Sequence, residues 1–139
     1  MNEELRASLE EAAVKGYTLS QVPKWHFLFL ENTEMLSSLK ELCGEKCSYD
    51  SGIAVFGSKR DWPSCIDACS ALNRMAEVSS GVLSEAMRKW MLREEAGELL
   101  EALGVPEGYV CLGVLLIDVQ EEHPLPSRKI RWNVFSYMK

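Results

Sequence analysis

Ten residues from Tyr109 to Asp118, YVCLGVLLID, carry almost no polar side chain, and no other stretch limits this chain's fold as tightly. A strand with one face in water alternates apolar and polar residues; this one does not, so both of its faces must be covered. The residues just before it, LLEALGVPEG at 99–108, read as the end of an apolar helix stopped by Gly104 and Pro106. The pattern predicts a sheet with helices packed on either side.

The chain of 139 residues, 47% apolar and 26% charged, is the size and composition of one folded domain with a real core. It has no apolar run of the roughly 18 to 20 residues that cross a membrane. The opening MNEELRASLEEAAVKGY mixes charge and hydrophobe where a secretory leader would be uniformly apolar, so a cytoplasmic location is expected. A formal charge of -6 argues against a nucleic-acid partner. The densest cationic stretch, SRKIRW at 127–132, suits one phosphate group on a small ligand better than a duplex backbone.

Cysteines at 43, 47, 65, 69 and 111 are odd in number and read as reduced thiols. CGEKC and CIDAC each space two sulfurs four residues apart, on one side of a helix if the segment is helical. Buried free thiols are the favoured reading over a four-thiolate zinc site, which prefers shorter Cys-x2-Cys loops.

Periodicity places a helix over 3–15, with Leu5, Leu9, Ala12 and Ala13 on one face and Gly16 as its stop. WHFLFLE at 25–31 reads as an interior strand, and NTEMLSSLKELCG at 32–44 as a helix capped by Asn32 or Thr33. GIAVFGS at 52–58 is a second strand. The segment from Trp62 to about Gly81 is a longer helix, with Pro63 in its first turn and a small-residue face of Ala68, Cys69, Ala71, Leu72, Met75 and Ala76. LSEAMRKWM at 83–91 has no clear period, and REEAGELLEALG at 93–104 is helical with an acidic first turn. Residues 120–139 read as an extended C-terminal arm whose Ile130, Trp132, Phe135, Tyr137 and Met138 need a surface, for which a second subunit is the natural source. The irregular alternation of elements, without a Gly-rich phosphate loop, predicts an α+β chain rather than a doubly wound sheet.

In this order, the Pro23-x-Trp25-His26-Phe27 strand, the small-residue helix, the LLEALGVPEGYVCLGVLLID turn and the tail SRKIRWNVF resemble the nitroreductase family of FMN-dependent oxidoreductases over nearly the whole chain. The resemblance implies a single domain over 1–139, built as a three-layer sandwich with a mixed, mainly antiparallel sheet flanked by helices. It also implies a homodimer holding two FMN molecules at its interface, with hydride passing from NAD(P)H to a nitroaromatic, quinone or similar acceptor. In such proteins the flavin carries the reaction, and no catalytic side chain is named.

Carried onto this chain, the family's flavin contacts fall on Thr18, Ser20 and Gln21 in the loop before the first strand, on Asn73 and Gly81 of the long helix, and on Arg128 and Lys129 for the phosphate. Each position also has a plain structural role, as a capped polar loop, an exposed helix face or a solvated basic turn. The departures are specific. The family's N-terminal Arg-x-Ser-x-Arg has no counterpart here, and Gln21, Pro23 and Lys24 stand where the family has Asn, Gln and Pro. Leu72 takes the usual Asn position of the long helix, Leu83 replaces the second glycine of Gly-Leu-Gly, Ala86 a tryptophan, and Asp118-Val119 a Gly-Tyr. His26 reads as a structural or surface histidine and His123 as part of an exposed loop. Two functions follow: an FMN-dependent oxidoreductase with an altered flavin site, or a non-catalytic dimeric ligand-binding or interaction protein that has lost flavin.

Overall fold

The apolar run forms strand β4 (Tyr109–Asp118) in a computed structural model that describes residues 1, 3–43, 50–82, 85–89, 105, 107–118 and 134–138. In chain order the other elements are α1 (Glu3–Val14), β1 (Trp25–Leu30), α2 (Thr33–Cys43), β2 (Ser51–Ser58), α3 (Trp62–Val82), β3 (Glu85–Lys89) and β5 (Phe135–Met138). The strands join one sheet in the order β3-β4-β2-β1-β5, antiparallel throughout except for the parallel β1–β5 pair.

The strands alternate sides as the pleat requires, and both sides are apolar. Phe27, Phe29, Ile53, Val55, Leu115 and Ile117 pack against Leu5 and Leu9 of α1 and Ala68, Ala71, Leu72 and Met75 of α3. On the reverse side Leu28, Leu30, Ala54, Phe56, Cys111, Val114 and Leu116 pack with Leu36 of α2. The result is the expected α+β three-layer sandwich with a mixed, mainly antiparallel sheet. Val55 pairs with Gly113 but Phe56 with Cys111, so Leu112 is an extra residue on β4. This bulge puts Cys111 and Val114 on one face and turns Leu112 toward α3.

Local chemistry sets the helix limits. Asn32 caps α2, its Oδ1 accepting the Met35 N–H at 3.0 Å, and Asp61 caps α3 by accepting the Ser64 N–H at 3.3 Å. Pro63 sits in the first turn of α3, where its missing N–H costs nothing. After α1 the chain turns at Gly16 with φ of 130°. Arg74 of α3 donates from Nε to the Ala12 carbonyl at 2.8 Å and from Nη2 to that of Ala13 at 2.7 Å, satisfying the orphan end of α1.

Two sequence readings change. Residues 85–89, which showed no clear period, are the edge strand β3 paired with β4. Residues 135–138, read as part of an extended arm, are instead a strand of the sheet. Phe27 donates its N–H to the Val134 carbonyl at 2.6 Å, Glu31 its N–H to Met138 at 2.8 Å, and the Phe135 ring lies 5.4 Å from Phe27 and 5.9 Å from Phe29. Apolar ring burial and unpaired β1 backbone groups draw this segment into the sheet. The predicted helix over 93–104 and the rest of the arm lie outside the described residues.

Candidate functional site

Between α1 and β1 the chain must cross the end of α3, and one carboxylate holds it there. Asp67, buried in the second turn of α3, accepts the Leu19 N–H at 2.6 Å on Oδ1 and the Ser20 N–H at 3.0 Å on Oδ2. A buried carboxylate needs such donors, and two backbone amides are charge-assisted partners. Ser64, also buried, lies one turn earlier and extends the clasp. Its Oγ accepts the Lys24 N–H at 2.8 Å, donates to Asp61 Oδ2 at 2.8 Å and lies 3.1 Å from Ser20 Oγ.

Counting protons defines what the loop can offer a ligand. The Ser64 hydroxyl proton goes to Asp61, so the contact with Ser20 is made by the Ser20 proton. Thr18 Oγ1 likewise donates to the Ser20 carbonyl, at 2.6 Å. Both side chains can still accept a hydrogen bond, but neither has one to give. Gln21 is exposed and keeps the amide donors that the two hydroxyls lack.

Large apolar side chains are left exposed on the loop and on α3. Tyr17, Leu19, Val22, Trp62 and Ile66 are five of the six large exposed apolar residues among those described, Trp62 at 69% and Val22 at 79% exposure. Trp62 and Ile66 are one turn apart on α3, and the exposed Asn73 lies two turns beyond Ile66 on the same side. Trp62, Ile66 and Asn73 thus mark the solvent side of α3, away from the Ser64 side that holds the loop. Of the predicted site residues, Thr18, Ser20 and Gln21 lie on the loop held by α3, whereas Asn73 is exposed on the opposite side of that helix from Ser64. Gly81 sits in the last turn of α3, at the far end of the helix. Arg128, Lys129 and His123 lie outside the described residues. Asp67 and Ser64, which hold the site together, were not singled out from the sequence; a carboxylate among the small residues of a buried helix face was the available signal.

Other reactive groups are muted. Cys65 and Cys69 sit on one side of α3 as their spacing predicts. Burial raises both thiols, helped by the charge of Asp61 at Cys65 and by Cys65 at Cys69, so neither is an activated nucleophile. His26 is a buried structural residue of β1, bonded through Nε2 to Ser136 Oγ of β5, and burial lowers its pKa. Among the described residues no group of three or more His, Cys, Asp or Glu could hold a metal, and no helix is long and apolar enough to cross a membrane.

No protein-family model and no curated protein matches the sequence. Solved structures do. An FMN-dependent nitroreductase from Clostridium difficile R20291 superposes with a TM-score of 0.68 at 15% identity, over 96% of this chain and 88% of its own. A nitroreductase with bound FMN from Bacteroides fragilis NCTC 9343 gives 0.62 at 18% identity, over 100% and 88%. NfrA1 from B. megaterium gives 0.68 at 15% identity, over 94% of this chain and 62% of its own. These likenesses define the fold as that of the FMN-dependent nitroreductases. The chain has a nitroreductase-like fold at low sequence identity.

Proposed function

We propose that this protein is an FMN-dependent oxidoreductase of the cytoplasm that works as a homodimer and takes its electrons from NAD(P)H. The observation that carries the reading is a nitroreductase-like fold in which large apolar side chains, Leu19 and Val22 on the loop and Trp62 and Ile66 on α3, are left exposed. An isoalloxazine ring system is flat and apolar with a polar, amide-like edge, and this set of side chains fits it. Bound FMN supplies two-electron transfer from NAD(P)H to a nitroaromatic, quinone or similar acceptor.

The chain's own residues bind and orient. Gln21 and Asn73 offer amide donors and acceptors, and Thr18 and Ser20 accept only. Arg128 and Lys129 are assigned the phosphate, Arg as a planar fork and Lys as a point charge. A second copy of the chain covers the part of the apolar surface that the ring does not, because a monomer in water gains from burying it.

The test is flavin content. The purified protein is expected to be yellow or to take up added FMN with quenching of its fluorescence, and then to oxidise NAD(P)H when a quinone or nitroaromatic is supplied. Arg128→Ala is expected to weaken FMN by roughly 1 to 3 kcal/mol, measured by fluorescence titration. One observation favours the second reading, a dimeric binding protein without flavin: the hydroxyl protons of Thr18 and Ser20 are already committed within the chain. A colourless protein that ignores added FMN would leave only that reading.

A further inference from the structure

A second cleft lies at the end of the sheet where β2 leaves and β4 enters. The chain after β2 makes a tight turn, closed by the Asp61 N–H donating to the Ser58 carbonyl at 3.1 Å, with Lys59 and Arg60 at its tip. Lys59 N–H also donates to the Gly108 carbonyl at 2.9 Å, tying this turn to the one that leads into β4. Between the two turns is a cavity of about 430 Å³ lined by Ser58, Lys59, Arg60, Glu107 and Gly108. Gly108 has a φ of 86°, and a Cβ built on it would meet nothing within 4 Å, so this wall is bare backbone over open space.

The charges point to an anion. Lys59 and Arg60 are both exposed, and the two ion pairs found among the described residues lie elsewhere, at Met1–Glu31 and Arg6–Glu31. The nearest acid in sequence, Asp61, is turned toward Ser64 as the cap of α3. A third exposed cation, Lys24, is joined to the rim through its carbonyl, which accepts the Ser58 N–H at 2.9 Å. In a chain of net charge -6 this is a local reversal of sign.

We propose that this cleft binds the phosphomonoester of a nucleotide, with Arg60 and Lys59 on the phosphate and Glu107 on a sugar hydroxyl. Arginine matches phosphate with two parallel donors and lysine adds a compact charge. The cavity is far larger than a phosphate ion and falls in the range of small-ligand sites. Glu107 would repel a bare dianion, but it accepts a hydrogen bond from a ribose hydroxyl. None of the residues lining this cleft is assigned to the flavin, so a protein without flavin would still carry it.

Calorimetric titration of the full chain at about 0.1 M salt, where charges about 10 Å apart still interact, compares 5′-AMP, adenosine and inorganic phosphate. AMP is expected to bind more tightly than either fragment. The exposed double variant Lys59→Ala/Arg60→Ala is expected to keep its Tm and to lose about tenfold to a hundredfold in AMP affinity. Glu107→Gln is expected to weaken AMP while leaving or strengthening inorganic phosphate. No AMP binding, AMP binding unchanged in the double variant, or inorganic phosphate binding as tightly as AMP would each overturn the assignment. FMN uptake is a separate measurement and does not affect any of these outcomes.

Discussion

Asp67 does more for the candidate site than any residue that contacts solvent there. It joins the loop to α3 by accepting the amides of Leu19 and Ser20. Asp67→Ala is expected to destabilise the protein by about 3 kcal/mol in urea unfolding, since two bonds to a charged acceptor are lost. Asp67→Asn, which keeps one acceptor, is expected to cost less. His26 contributes at the same scale. Its folded pKa lies below the ordinary imidazole value of about 6.5 because burial disfavours the charged ring. The unfolded chain therefore binds the proton first, and the stability His26 contributes is present above about pH 6.5 and lost as pH falls. Urea midpoints measured from pH 7.5 down to 5 are expected to decline less in His26→Gln than in the parent.

At the scale of elements, α3 is the organiser, and its packing on β2 is close. A Cβ placed on Gly57 would lie 2.9 Å from both Cα and Sγ of Cys65, and the backbone atom cannot yield as a flexible side chain could. Gly57→Ala is expected to cost roughly 1 to 3 kcal/mol by thermal or urea unfolding, whereas an alanine at Gly52 meets the side chains of Leu36 and Leu116 at 3.3 Å. β5 is fastened through Tyr137: Arg6 sits 5.0 Å over its ring, and its hydroxyl is hydrogen-bonded to the buried Glu10. Burial and the charge of Glu10 push the Tyr137 phenol up to about 12. Its folded pKa is raised, so its contribution to stability is complete below the ordinary phenol value of about 10 and lost as pH rises toward 12. Phenolate absorbance of the parent against Tyr137→Phe is expected to show one group titrating late, near the upper end of that window.

Over the whole molecule, legibility followed the kind of interaction that forms each element. β4 could be read because a strand covered on both faces leaves its mark in every residue, and α1 to α3 because periodicity, caps and stops are local. β3 and β5 could not. They are five- and four-residue edge strands, the first bearing Glu85, Arg88 and Lys89, and only pairing with distant segments makes them strands. The site divides the same way: Thr18, Ser20, Gln21 and Asn73 came from motif position, but the bonds that fix the loop, from Asp67 to the Leu19 and Ser20 amides and from Ser64 to the Ser20 hydroxyl, span more than 40 residues. The fold is that of the FMN-dependent nitroreductases; the central claim is the proposal that this chain binds FMN and works as a homodimer.

Sedimentation velocity with added FMN, followed at the visible flavin band, tests that claim most directly. The account predicts flavin absorbance moving with a species of twice the 15.7 kDa chain mass, at one FMN per chain. A boundary at the mass of a single chain, with all the flavin left behind in solution, would contradict it.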